Sequence, residues 1–197
     1  EAHDLYLRGV FEKNKLTPEG LQSALIYFQD AIKLDSGYAQ AHAGVAFVYD
    51  LLADVYMPSH EYHTLSLVAA QRALQSDSLL AEARVLYGYE IAAATWDFAA
   101  GRAEMERGLA LNPNSQDALF MYSMFSYCSG DFAKAVALAD RLIQIDRLSP
   151  LAVHQPQRRQ PRHLAASGHQ RQRPGDLARL DVARHQMLIH PPQPLAR

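Results

Sequence analysis

A single cysteine, Cys128, stands in 197 residues. One thiol excludes an internal disulfide framework and suits a reducing compartment, so a cytoplasmic location is expected. No apolar run approaches the ~18 residues of a membrane span, and the longest apolar-rich stretch, Ala118 to Cys128, is broken by Ser123 and Ser126. Phosphate loop, dinucleotide glycine fingerprint, paired cysteines and nucleophile elbow are all missing. The chain by itself is therefore expected to have no enzymatic activity, no cofactor and no small-molecule substrate. A secretory leader and an initiator methionine are missing too, and Glu1 reads as the start of a fragment or a processed product.

The net charge of −2 hides two unlike regions. Residues 1–153 carry 11 Lys and Arg against 19 Asp and Glu, whereas residues 154–197 carry eight Arg against Asp176 and Asp181. The last 44 residues hold six Pro, seven Gln and five His, with no Phe, Tyr, Trp, Glu or Lys. Such a break in composition marks a boundary between unlike segments.

What the first region does have is a phrase that returns. Ala24-x3-Phe28-x2-Ala31 runs into Asp35-Ser36, and Ser66-x3-Ala70-x2-Ala73 into Asp77-Ser78. Gly101-x3-Met105-x2-Gly108 runs into Asn112-Pro113, and Ala135-x3-Ala139-x2-Leu142 into Asp146-Arg147. The closing residues, 31, 73, 108 and 142, are spaced by 42, 35 and 34. Small or apolar residues at i, i+4 and i+7 share one helical face and let a neighbouring helix approach closely. A period in this range marks a helical solenoid. Thr17 with Pro18, Ser59 after Pro58, Ser115 after Asn112-Pro113-Asn114, and the Gly130-Asp131-Phe132 turn supply the starts and stops. Helices are expected near 2–15, 18–34, 38–56, 59–76, 79–94, 97–111, 115–128 and 131–146. Phe28, Ala31, Ala73, Met105 and Tyr122 are expected in the core.

These residues resemble the tetratricopeptide-repeat (TPR) family, whose unit is a helix–turn–helix of 34 residues. The resemblance covers about residues 2–150 and implies an all-α, right-handed superhelical solenoid. Its units fall at about 2–36, 38–78, 79–113 and 115–147, followed by an atypical segment at 151–197. The first unit carries three extra residues between its helices and the second eight, around Met57-Pro58, so the first helix of that unit should overshoot by a turn or two. Leu5, His42, Arg84 and Leu119 stand where the family usually has Trp. Leu5-Tyr6-Leu7-Arg8-Gly9, Thr17-Pro18-Glu19-Gly20-Leu21, Tyr27-Phe28-Gln29-Asp30-Ala31-Ile32 and Trp96-Asp97-Phe98 are similar to the C-terminal TPR regions of bacterial multidomain regulators. There the repeats follow an adenylate cyclase, a Ser/Thr kinase or a winged-helix domain. This resemblance implies a protein-interaction module, scaffolding or sensory, that serves an effector outside the chain.

In a TPR stack the first helix of each pair lines the concave side. Helical spacing puts Tyr6, Val10 and Lys13 there from unit one, Ala43, Phe47 and Asp50 from unit two, Val85, Tyr89 and Ala92 from unit three, and Phe120, Met124 and Tyr127 from unit four. A largely apolar, aromatic groove follows, suited to an extended or helical segment of a partner protein or to an adjacent domain of the same polypeptide. The alternative is that these side chains simply fill a shallow groove. The carboxylate clamp of chaperone-binding TPR proteins is not expected, because Tyr6, Val10, Ala43 and Phe47 occupy its places.

Other candidates read plainly. His60 and His63 sit at i, i+3, but two imidazoles with no third ligand are poor for zinc, so they are expected to face solvent and no metal site is expected. Cys128 is expected as a small core residue. Trp96 is expected in the turn of the third pair, covering a junction or serving as a binding anchor. Glu104, Glu106 and Arg107 read as a solvated face. Pro156 and Pro161 interrupt any fifth pair. Three readings of residues 154–197 stay open: the product of a frameshift in a GC-rich gene, a disordered basic tail, or a nucleic-acid-binding tail. The last would make the chain a nucleic-acid-associated adaptor. Leu177, Leu180, Ala183, Met187 and Leu188 recur at helical spacing, and a helix at 176–189 would cap the fourth pair.

Overall fold

Thr17 and Pro18 open a helix as their chemistry requires. The Thr17 hydroxyl accepts from the Gly20 N–H at 3.1 Å, and Pro18 occupies the first turn, where its missing N–H does no harm. The same device recurs at Asp97, which accepts from Ala100 N at 2.9 Å. Ser115 accepts from Ala118 N at 3.3 Å, and Asp131 from Lys134 N at 3.2 Å. Gly130 makes the tight turn before Asp131 with φ of 83°, a left-handed conformation that glycine adopts without steric cost.

The computed structural model describes residues 1–56, 60–148 and 151. Expectations for Ser59 and for residues 152–197, including the helix at 176–189 and the nucleic-acid-binding tail, lie outside the described residues. The helices are α1 (Ala2–Lys13), α2 (Pro18–Leu34), α3 (Ala39–Leu51), α4 (His60–Ser76), α5 (Ala81–Thr95), α6 (Phe98–Leu111), α7 (Gln116–Cys128) and α8 (Phe132–Ile145). A π-helical turn, Leu52–Tyr56, extends α3, which is the overshoot expected from the insertion in the second unit. Each helix packs on its pair partner and on the next pair. The first helices also touch one another along the stack, α1 against α3, α3 against α5 and α5 against α7. The result is an all-α solenoid of helix pairs. None of the described helices is long and apolar enough to cross a membrane.

The recurring phrase is the spine of the core. Its residues in α2, α4, α6 and α8 are all buried, from Ala24, Phe28 and Ala31 through Ser66, Ala70 and Ala73 to Gly101, Met105 and Gly108, then Ala135, Ala139 and Leu142. Phe28, Ala31, Ala73, Met105 and Tyr122 are each fully buried, as expected. Glycines let the bulky members fit. A Cβ on Gly9 would lie 2.5 Å from Phe28 Cε1, and one on Gly44 2.7 Å from Phe28 Cε2, so the ring is held between two bare stretches of backbone. In the third pair, a Cβ on Gly88 would come within 2.6 Å of the Gly101 carbonyl oxygen.

Several expectations need correction. Cys128 is exposed, because it ends α7 where the helix has already left the core. Glu104, expected to be merely solvated, pairs with Arg84 at 2.9 Å and with Arg107 at 2.5 Å, and Glu106 accepts from the Tyr122 hydroxyl at 3.1 Å. Trp96 does lie in the turn of the third pair as expected, closing α5 in a left-handed conformation, φ 59°, a position that favours glycine. Its ring stays 65% exposed, with Phe98 edge-on at 6.1 Å.

Candidate functional site

The twelve residues assigned to the concave face divide among four places. Tyr6, Val10, Lys13 and Ala43 line one cleft together with Phe28, Gln40, Gly44, Leu80, Glu82, Leu86 and Asp117. Phe47, Val85, Ala92 and Phe120 are buried in the core, with the Phe47 and Phe120 rings 6.0 Å apart. Met124 packs on that core half-buried, and Tyr127 meets Phe132 within the fourth pair, edge-on at 5.6 Å. Asp50 and Tyr89 belong to a polar cluster of their own, described below.

The broad groove is narrower than helical spacing implied. Lys13 on α1 reaches across to Asp117 on α7, with Nζ 2.5 Å from Oδ2. The same ammonium stands 4.5 Å over the Phe47 ring. This strut joins the first and fourth pairs and covers the Phe47 ring. Small residues on the first helices, Ala39, Ala41, Ala43 and Ala46 on α3 and Ala81 and Ala83 on α5, are all buried and permit that close approach. Helical spacing identifies the face of each helix, but the distance between helices depends on such small residues in several units at once.

The remaining cleft has a volume of about 40 Å³, against roughly 300–1,000 Å³ for a small-molecule site. It has room for one side chain. Tyr6, Val10, Phe28 and Leu86 line it with apolar surface, and its charged lining residues are Glu82, Asp117 and the single cation Lys13. Lys13 is only 4% exposed and already paired, so it is not available to a partner's carboxylate. The Ser115 hydroxyl donates to Glu82. Burial, followed by the charges of Asp117 and Glu82 and the neighbouring Tyr38, pushes the Tyr6 phenol up to about 12, so it remains a neutral hydroxyl over the physiological range. Gln40, Gly44, Glu82, Leu86 and Asp117 were not singled out by the sequence. They lie one position off the expected inner face, or at the starts of helices.

The second cluster sits where α3, the π-helical turn, α4 and α5 meet. Asp50 and Asp54 are one turn apart on one face, His63 comes from α4, and Tyr89 and Glu90 from α5. His63 Nδ1 lies 3.1 Å from Glu90 Oε2 and its Nε2 3.5 Å from Asp54 Oδ1; the Tyr89 hydroxyl donates to Asp54. Asp50 is 2% and Glu90 1% exposed. Burial first, then the charges of Asp54 and Glu90, hold the Asp50 carboxyl well above the usual carboxylate range. The hydrogen bond to Glu90 raises His63 above the ordinary imidazole value, against the opposing effect of burial. His63 is thus not the solvent-facing residue expected from its neighbourhood in sequence.

No family model and no curated protein matches the chain. Among solved structures it is similar to TTC0263, a thermophilic TPR protein in Thermus thermophilus, at 15% identity over 78% of each chain with a TM-score of 0.56. It is also similar to YrrB, a TPR protein with an unusual peptide-binding site, at 22% identity over 69% of this chain and 83% of that one, with a TM-score of 0.40. The described residues have the fold of TPR proteins.

Proposed function

We propose that the chain is a protein-interaction module whose partner inserts one apolar side chain, flanked by basic residues, into the cleft between α1, α3 and α5. The observation that carries this reading is the cleft itself, lined by apolar Tyr6, Val10, Phe28 and Leu86 and by the carboxylates of Glu82 and Asp117. An apolar anchor in a snug pocket supplies affinity, and complementary charge around it supplies orientation and association rate. The partner is a segment of another protein or of an adjacent domain of the same polypeptide. The residue resemblance to bacterial multidomain regulators supports a role in signalling or transcriptional control, with catalysis residing in an attached effector.

A random peptide display library selected against the full chain tests this. Enriched peptides should share an apolar residue with Lys or Arg beside it. The doubly changed chain Gln40→Arg, Glu82→Gln should bind them about tenfold more weakly, with the loss largely in association rate and largest at low salt. Gln40 is exposed and Gln at position 82 still accepts from Ser115, so the fold should survive the change. Peptides that bind both chains equally would exclude the cleft. Each selected peptide should bind as well with an amidated as with a free C-terminus, since Lys13 is already paired.

A further inference from the structure

Two carboxylates buried side by side without a cation are costly, because each charged form disfavours the other and neither has water. Asp50 and Glu90 are in that position except for the His63 imidazole, whose Nδ1 lies 3.1 Å from Glu90 Oε2. Asp50 Oδ1 and Glu90 Oε1 are buried and accept from no N–H or hydroxyl group, and the two carboxyls hydrogen-bond each other. Among the described residues, Lys and Arg make their ion pairs elsewhere, with Glu12, Asp30, Glu104, Asp117 and Asp131. What the cluster does contain is an imidazole: one ligand atom each from Asp50, His63 and Glu90 lie within 4.8 Å of one another.

We propose that Asp50, His63 and Glu90 bind a divalent zinc ion that ties α3, α4 and α5 together. Two carboxylate oxygens and one imidazole nitrogen form a three-ligand set with a fourth position left for water. The imidazole favours zinc over magnesium or calcium, which prefer all-oxygen surroundings. Zinc–ligand bonds of about 2.0–2.2 Å require the three donors to draw in by the order of 1 Å, within reach of side-chain rotation. The surroundings already have the form such sites need. If Nδ1 binds the ion, Nε2 keeps its proton toward Asp54 at 3.5 Å. Asp54 is in turn held by the Tyr89 hydroxyl, and a carboxylate behind a metal-binding imidazole fixes its tautomer and orientation. The π-helical turn that follows Asp50 carries Asp54, and such turns are frequent at functional sites. Sequence spacing hid this set because its three ligands come from three helices, whereas His60 and His63 drew attention to one.

Zinc titration of the chelator-treated full chain by calorimetry, with cobalt absorption as the spectroscopic readout, tests the proposal. The native chain should take up one equivalent of zinc that Asp50→Asn and Glu90→Gln both lose, and its melting temperature should rise with zinc and not with magnesium or calcium. Asp54→Asn should keep the site but weaken it about 10–100-fold. Zinc held by histidines elsewhere would persist in both ligand variants, so equal uptake by native and variant chains overturns the proposal. If either variant fails to fold, the native chain decides alone: no zinc-dependent rise in melting temperature, or no tetrahedral cobalt spectrum, overturns it as well.

Discussion

The junction between the first and second pairs and that between the second and third are built from opposite materials. At the first, Phe28 of α2 is clasped by Gly9 of α1 and Gly44 of α3, with the Tyr6 ring 5.8 Å away; the contacts are apolar. At the second, Ala70 and Ala73 continue the apolar spine, but Asp50, His63 and Glu90 lie beside them with two carboxylate oxygens that accept from no N–H or hydroxyl group. A solenoid is stabilised by the sum of its neighbour contacts. The apolar junction holds by packing, while the polar one sets two buried carboxyls against a single imidazole, His63. Repetition in sequence does not make the repeats equivalent in role.

The largest effect is expected at Phe28. Phe28→Ala should lower stability by ~3–5 kcal/mol in chemical denaturation and uncouple α1 and α2 from the rest, seen as an early transition. A loss under about 1 kcal/mol would mean the junction is not packing-driven. Next comes Gly88→Ala, whose methyl group would meet the Gly101 carbonyl and push α5, the helix that carries Glu90, off α6. The expected loss is about 1–3 kcal/mol, and wild-type stability would show that the two helices can separate freely. In the chelator-treated chain, Asp50→Asn should instead stabilise by about 1 kcal/mol, because it removes one of two crowded buried carboxylates while keeping their shape. A comparable loss on denaturation would show that the cluster is already internally satisfied.

A further effect is alkaline. Burial first, and then the neighbouring carboxylates, raise the Tyr6 phenol to about 12 and carry Tyr89 well above its ordinary value as well. Because the folded value exceeds the unfolded value near 10, the stabilisation from each is fully present below pH 10 and is lost as the pH rises through the folded value. Absorbance at 295 nm should show Tyr6 titrating near pH 12, after the exposed tyrosines. A Tyr6 step at pH 10 would mean that its side of the cleft is open to solvent.

Helices, caps and spine were legible because each is encoded locally. The Thr17-Pro18 start, the Ser115 cap and the i, i+4, i+7 phrase all act within one or two turns, and the observed helix ends fall within two residues of those expected. The closing of the groove was not legible. Lys13 and Asp117 are 104 residues apart, and their meeting depends on small side chains in several units that let the first helices crowd together. Asp50 and Asp54 show their shared face in the sequence, but their convergence with His63 and Glu90 requires three helices to be in place. Cys128 was misplaced by a pattern that tells the face of a helix and not how far the core extends along it.

Hydrogen exchange of the full chain, alone and with a selected peptide, tests most directly whether partners are held in the inner cleft. Protection should concentrate in α1 and at the starts of α3 and α5, where Tyr6, Val10, Gln40, Ala43 and Glu82 lie. Protection confined to α2, α4, α6 and α8, with the cleft unchanged, would contradict it.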